Sequence, residues 1–275
     1  MIKFFVKNEE GEIISLPLNK FHSGELIIPK YDYTNCNGIE LQCFYDGDED
    51  LFQLLLIGEY FEKVFVDLGK LNLFIPYIPY SRMDRFTDKE YEQFSSLKRL
   101  LYRYYDIVTC DLHNSSTSKG LKNFKFNFSE LEDLLSHYNS IILPDKTAFL
   151  RFTNYFGFDY RMIVLDKVRE NDKILSKIVF NNYDSLSSLD FLIVDDICSK
   201  GGTFINASEL VRKELNDLSI TIDLFVSHAE NGIFAGDLFS HIDHVYTTDS
   251  ILTKPLNDSI SLIRSYRNND QTYII

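Results

Sequence analysis

Basic residues are scarce. The 275-residue chain has 28 Lys and Arg against 41 Asp and Glu, a formal net charge of −13. That balance argues against general nucleic-acid binding, which needs cations to displace counterions from phosphates. It also argues against docking on an anionic membrane surface. A small anionic substrate stays open, because a few Lys and Arg can make one cleft locally positive. Cysteine is scarce as well. Cys36, Cys43, Cys110 and Cys198 form no Cys-x-x-Cys pair, which argues against a zinc site or a disulfide framework. Reduced thiols fit a cytoplasmic protein. No apolar run approaches the roughly 18 residues of a membrane span. The opening MIKFFVKNEE has too short an apolar stretch for a secretory signal. Trp is absent, yet 17 Tyr and 23 Phe bring aromatics to 15% of a chain that is 45% hydrophobic. Such a composition argues against disorder and suits one large domain or two medium ones.

What is present alternates. β-rich runs include MIKFFV, LNLFIPYIPY, DIVTCDL, SIILPD, RMIVLD, FLIVDD, IDLFVSHA and HVYTTD. Between several of them lie helical patterns: DEDLFQLLLIGEYFEKV, DKEYEQFSSLKRLLYRYY and TFINASELVRKELNDL. Strands alternating with helices predict an α/β fold with a mainly parallel sheet. FLIV and SIIL are apolar without alternation, as in strands covered on both faces. There is no low-complexity linker. The stretch at 127–140, NFSELEDLLSHYNS, is the best boundary; it gives domains 1–138 and 139–275. Each half has an apolar strand that ends in a carboxylate and leads into polar residues, TCDLHNSSTSKG and IVDDICSKGGT, which suggests a duplicated unit.

FLIVDDICSKGGTFINA, residues 191–207, concentrates the chemistry. Ligands of open α/β sheets bind at the carboxyl ends of strands. Gly201 and Gly202 let the backbone approach a phosphate, and Thr203 adds a hydroxyl donor. A helix opening there exposes N–H groups and a positive dipole end. Carboxylates only accept hydrogen bonds, so Asp195 and Asp196 suit a vicinal diol, which supplies two donors. On its own, Asp-Asp before Gly-Gly-Thr equally describes a strand capped by acids and an ordinary turn.

The full order, an apolar strand, two acids, four residues and Gly-Gly-Thr, resembles the phosphoribosyl diphosphate loop of type I phosphoribosyltransferases and ribose-phosphate pyrophosphokinases (PRPP synthetases). The first half narrows the choice. LNLFIPYIPYSRMDR (71–85) looks like the segment before the ATP site of the pyrophosphokinases, and CDLHNSSTSKG (110–120) resembles their Asp-Leu-His motif. LPDK (143–146) resembles their Pro-Asp step, LDKVRE (165–170) their Asp-Lys-x-Arg catalytic loop, and KFHSGE (20–25) their adenine-contact segment. These matches fall in family order across most of the chain. The resemblance implies two tandem type I phosphoribosyltransferase-like domains. It also implies transfer of the β,γ-diphosphate of ATP to the anomeric hydroxyl of ribose 5-phosphate, with Mg²⁺ and with release of AMP.

On that resemblance, Asp195 and Asp196 bind ribosyl hydroxyls, and Ser199, Lys200, Gly201, Gly202 and Thr203 bind the phosphate. Lys167 and Arg169 stabilise charge on the transferring phosphoryl oxygens; alone, DKVRENDK also reads as a solvated charged loop. His113 stands near the ATP phosphates and their metal, and Asp145 is a metal-associated carboxylate. Arg82 and Arg85 face the ATP phosphates, with Asp84 orienting them or lying on the surface as an ordinary acid. Phe21 stacks on adenine, unless it is a core aromatic, and Glu25 accepts from the nucleoside. In the family this last segment comes from a neighbouring subunit, which implies a homo-oligomer. His228 matches a family Ser/Thr-His step and takes no assigned role.

The departures cluster in the acceptor and diphosphate pockets. Ser199 and Lys200 replace the Asp and first Thr of the usual turn, Lys146, Thr147 and Ala148 replace a Gly-rich loop, Ser23 replaces an Asp, and Met83 replaces a polar residue. AENGIFAGD is a longer loop than usual. An added Lys by the turn suits an acceptor more anionic than a monoester, such as ADP-ribose, whose pyrophosphorylated product would serve NAD⁺ salvage. Two other readings are a non-catalytic nucleotide-binding regulator and a plain phosphoribosyltransferase. The latter leaves the first-half motifs idle.

Overall fold

The computed structural model describes residues 1–275 apart from 65–68, 85–91, 115–118, 124–127, 139, 158–159, 171–172, 182–189, 218 and 269–270. The chain folds as two compact units, Met1–Phe126 with Arg267–Ile275, and Asn127–Tyr266. The sequence places the boundary near 138, which falls inside the second unit. Leu131 and Leu135 of the segment read as the boundary are buried, on a helix of the second unit.

In the first unit the strands are β1 (Ile2–Asn8), β2 (Ile13–Leu16), β3 (Asn19–Lys20), β4 (Leu26–Ile27), β5 (Cys36–Cys43), β6 (Leu71–Phe74), β7 (Tyr105–Thr109) and β8 (Lys122–Asn123). The helices are α1 (Asp48–Val64) and α2 (Phe94–Tyr102). The main sheet runs β2-β1-β5-β6-β7-β8. It is antiparallel on both sides of β1 and parallel from β5 to β8. α1 starts with Asp48, Glu49 and Asp50 and ends with Lys63, signs that match its dipole. Leu51, Leu54, Ile57 and Phe61 turn its apolar stripe onto the core.

The C-terminal segment completes this unit. Glu40 on β5 is fully buried and accepts from the N–H groups of Tyr273, Ile274 and Ile275, the shortest at 2.8 Å. Gln42 donates to the Gln271 carbonyl at 2.7 Å, and Tyr273 stacks on Phe74 with centroids 4.1 Å apart. A buried polar pair in mid-sheet therefore finds its partners in the backbone of this segment.

The second unit contains α3 (Phe128–Leu135), β9 (Ser140–Leu143), α4 (Lys146–Phe156), β10 (Met162–Glu170), β11 (Lys173–Asn181), β12 (Asp190–Cys198), α5 (Gly202–Leu215), β13 (Thr221–Ala229), β14 (Val245–Thr248) and β15 (Ile260–Arg264). Its sheet runs β11-β10-β9-β12-β13-β14-β15, with every pair parallel except β10 and β11. All four residues of β9 and the apolar part of β12 are buried, as their unalternating composition predicts. The chain leaves β9 toward β10 on one side and returns to β12 on the other. The strand order thus reverses between β9 and β12, and ligands of open α/β sheets bind at such a switch point.

Candidate active site

Within the second unit, the switch point brings the predicted acids together. β12 outruns β9: its last residue paired with β9 is Ile193, opposite Ile142. Asp195 and Asp196 come next, so they stand beyond the carboxyl end of β9. Pro144 and Asp145 follow that end directly, and Asp145 lies close enough to act on Asp195 by its charge. Asp195 and Asp196 lie within the strand, as the β-rich run FLIVDD predicts, and β12 runs two residues further to Cys198, paired with Ala229 of β13.

A residue absent from the sequence reading closes the cluster. Arg151 of α4 is buried, and its Nη2 contacts Asp195 Oδ1 and reaches Asp196 Oδ1 at 3.1 Å. Asp196 also donates its N–H to Asp195 Oδ1 at 2.9 Å. Burial raises the Asp195 carboxyl above the ordinary carboxylate range, the Arg151 charge opposes that rise, and the Asp196 and Asp145 charges add to it. A signal for Arg151 existed in the helix period. Ala148 and Phe152 are buried on the same face, so an Arg at that spacing enters the core and requires acids there.

The turn after β12 opens α5. Gly201 is its N-cap, with φ 83°, and an added Cβ there would lie 2.6 Å from Leu238. Only Gly fits both the backbone and the space. Gly202 faces open space. Its N–H and that of Thr203 belong to the first turn, where an α-helix offers no carbonyl partner. The long AENGIFAGD segment supports this turn. Gly232 and Gly236 run so close beneath the Ser199 and Lys200 carbonyls that a Cβ would stand 3.3 and 3.2 Å from them. Glu230 also donates its N–H to the Cys198 carbonyl at 2.8 Å. Lys200 is exposed, Ser199 half-buried. His228 is buried, with Nδ1 2.8 Å from Ser250 Oγ.

Two other expectations take different local forms. Asp145 caps α4, accepting from the Ala148 N–H at 2.9 Å. Lys146, Thr147 and Ala148 are thus the first turn of a helix, and Lys146 pairs with Asp166 at 3.0 Å. LDKVRE is not a loop. Lys167 and Arg169 lie in β10, in register with Ser176 and Ile174 of β11; their side chains lie outside the described atoms.

In the first unit, the loops after β6 and β7 meet. Asn114 Nδ2 donates to Asp84 Oδ2 at 2.5 Å, so Asp84 is tied to the Asp-Leu-His segment. Tyr80 takes a positive φ of 64° and donates its hydroxyl to Asp48 Oδ2 at 2.8 Å, which fixes the approach to Arg82. Arg82 is exposed and His113 half-buried. Arg85 lies outside the described residues. Phe21 is 60% exposed in the β3–β4 connection, so it is not a core aromatic. Glu25 accepts from the Ser23 hydroxyl at 2.6 Å. Among the described residues no group of three or more His, Cys, Asp or Glu is placed to hold a metal ion. No described helix is long and apolar enough to cross a membrane.

No protein-family model matches the chain. It is similar to the ribose-phosphate pyrophosphokinase of Pyrococcus abyssi, 28% identical over 240 residues, which are 83% of this chain and 80% of the relative. It is also 28% identical to that of Thermococcus kodakarensis over 268 residues, 90% of each chain. The same identity holds with that of Pyrococcus furiosus over 261 residues, 89% of each. The crystal structure of phosphoribosylpyrophosphate synthetase from Mycobacterium smegmatis has the same fold, with a TM-score of 0.66 over 90% of this chain and 85% of that one at 15% identity. The motif order, the two parallel-sheet units and this similarity over most of the chain agree: the chain resembles the ribose-phosphate pyrophosphokinases, as a divergent relative.

Proposed function

We propose that the chain transfers the β,γ-diphosphate of ATP to the anomeric hydroxyl of ribose 5-phosphate, giving PRPP and AMP. The observation that carries this reading is the pairing of Asp195 and Asp196 with the glycine turn of α5 at the switch point of the second unit. The acids accept from the ribosyl hydroxyls, while the Gly202 and Thr203 N–H groups and the α5 dipole receive the 5-phosphate. The oxygen–phosphorus bond forms at the β-phosphorus as the bond to the AMP oxygen breaks. Charge then spreads over phosphoryl oxygens, and positioned cations stabilise it. Lys167 and Arg169 take that role.

Arg82, Arg85 and His113 bind the ATP phosphates, with Asp84 as an orienting acid. Phe21 and Glu25 contact the nucleoside, from a neighbouring subunit of a homo-oligomer. Exposure of Phe21 fits a ring that waits for a partner surface. Mg²⁺ suits a sparse donor set. It keeps waters, binds substrate phosphates and takes only one or two carboxylates, and the family resemblance assigns His113 and Asp145 to it. When bound, it supplies charge neutralisation on the polyphosphate.

A second acceptor, ADP-ribose, is favoured by the exposed Lys200 in the turn. Its diphosphate brings an extra charge where ribose 5-phosphate has a monoester. The test incubates the protein with Mg-ATP and each acceptor and follows AMP and the pyrophosphorylated product by mass spectrometry. PRPP with AMP is expected. ADP-ribose pyrophosphate alone would shift the assignment to the second acceptor. ATP binding without AMP from either acceptor would instead mark a regulatory homologue.

A further inference from the structure

The carboxylate pair has a third member. Arg151 reaches Asp195 and Asp196 through one nitrogen, and the side chains keep only 10%, 14% and 4% of their surface exposed. A guanidinium does not deprotonate in a protein, so this cation is permanent. Burying three ionisable groups is tolerable only when they are paired. α4 fixes the position of Arg151, since Asp145 caps it and Ala148 and Phe152 pack inward beside it.

Without Arg151, two adjacent carboxylates would be hard oxygen donors of the kind a divalent cation takes together with water. Arg151 fills that position. On Asp195, both the Arg151 contact and the Asp196 N–H fall on Oδ1, which leaves Oδ2 to accept from a ligand hydroxyl. A neutral hydroxyl can join this arrangement. A divalent ion would have to displace the guanidinium.

We propose that Arg151 is a positioning residue for the acid pair: it holds Asp195 and Asp196 as an acceptor for sugar hydroxyls and keeps divalent cations off them. The proposal rests on the pyrophosphokinase reading and deepens it, since it assigns the acceptor's selectivity to a helix residue outside every motif.

The test compares wild type, Arg151→Gln and Arg151→Lys. Calorimetry measures ribose 5-phosphate and, separately, inorganic phosphate. Electron paramagnetic resonance counts bound Mn²⁺ without nucleotide. Arg151→Gln is expected to weaken ribose 5-phosphate by about 10- to 100-fold, as for loss of a charged hydrogen-bond partner, to leave inorganic phosphate unchanged, and to gain one Mn²⁺ per chain. Arg151→Lys restores Mn²⁺ exclusion and part of the affinity, which a merely structural role would not predict. If Arg151→Gln does not fold, Arg151→Met, which keeps an apolar stem, takes its place. Equal Mn²⁺ stoichiometry in wild type and variant overturns the proposal, and so does unchanged ribose 5-phosphate affinity. A wild type that binds inorganic phosphate but not ribose 5-phosphate removes the pyrophosphokinase reading instead, and the Mn²⁺ count alone then decides the role of Arg151.

Discussion

Gly201 and Gly202 are neighbours with opposite tasks, and alanine at each separates folding from binding. At Gly201 the backbone has φ 83°, and the new Cβ would lie 2.6 Å from Leu238 Cδ1 and 3.0 Å from its Cγ. Leu238 is fully buried and cannot swing clear. Left-handed backbone costs a non-glycine residue about 1–2 kcal/mol, and overpacking a filled core costs about 1–3 kcal/mol. Together the Gly201→Ala penalty is about 2–5 kcal/mol. For a unit of this size that lowers the melting temperature by roughly 5–15 °C. At Gly202 nothing lies within 4 Å of the added methyl, and alanine is the better helix former by about 1 kcal/mol. Gly202→Ala should therefore melt no lower than wild type. The methyl nevertheless stands in the open space beside the N–H groups that a phosphate must approach, so affinity for ribose 5-phosphate and inorganic phosphate should fall. Thermal unfolding by circular dichroism and calorimetric titration read the two effects separately. A Gly201→Ala protein that melts with wild type, or a Gly202→Ala protein that binds phosphate as tightly, would refute the assignment.

Three further outcomes follow from the same geometry. Glu40→Ala removes the acceptor of three consecutive N–H groups. The segment at 271–275 then detaches and rehydrates, at a cost of about 2–3 kcal/mol, and its amides exchange fast by hydrogen–deuterium exchange; protection equal to wild type contradicts this. Asp195 carries a raised carboxyl pKa from burial, so the folded state holds its proton more tightly than the unfolded chain. Its contribution is present below the ordinary carboxylate value and is lost as pH rises through the raised one. Urea unfolding should show stability falling across that window, with the slope flattened in Asp195→Asn; identical slopes count against a raised Asp195 carboxyl. Lys167→Ala and Arg169→Ala should each lower kcat by about 10²- to 10³-fold, the usual loss of one electrostatic contact, with ATP affinity little changed. A kcat loss of less than tenfold in both would remove them from the chemistry.

Much of the fold is legible because its strongest elements obey a single period. DEDLFQLLLIGEYFEKV is α1 end to end, since its acids, apolar stripe and last-turn Lys agree. SIIL and FLIV are buried strands because nothing polar interrupts them. β5 escapes the reading, because Glu40 and Gln42 put polar groups on a strand that is buried at both; their partners come from residues 271–275, a separation no local pattern carries. α4 escapes because KTAFLRFTNYF follows a Pro-Asp step where the family resemblance implies a loop. β10 runs on through LDKVRE because β11 pairs with it, and charged residues alone do not reveal a ladder partner. The acid pair and the glycine turn are legible as residues; the cation between the acids is not, since it sits outside every motif.

The start of α4 bears on the proposed binding of a diphosphate. A Gly-rich loop would offer free N–H groups there. Here Asp145 already occupies the Ala148 N–H, and its own negative charge lies at the helix opening. Backbone donors at this end of β9 are thus partly spent on the fold. The exposed ammonium of Lys146, held by Asp166 at 3.0 Å, stands at the same helix start. An exposed pair of this kind is weak, commonly about 0.2–1 kcal/mol, so Asp166 can release the ammonium to a more highly charged partner at little cost. Replacing fixed N–H groups by a flexible cation gives up geometric discrimination and retains charge attraction. The acid pair and glycine turn, by contrast, keep rigid geometry through Arg151 and Gly201. On the proposed reading, selectivity therefore resides at the ribosyl end of the second unit, and the diphosphate end contributes mainly charge.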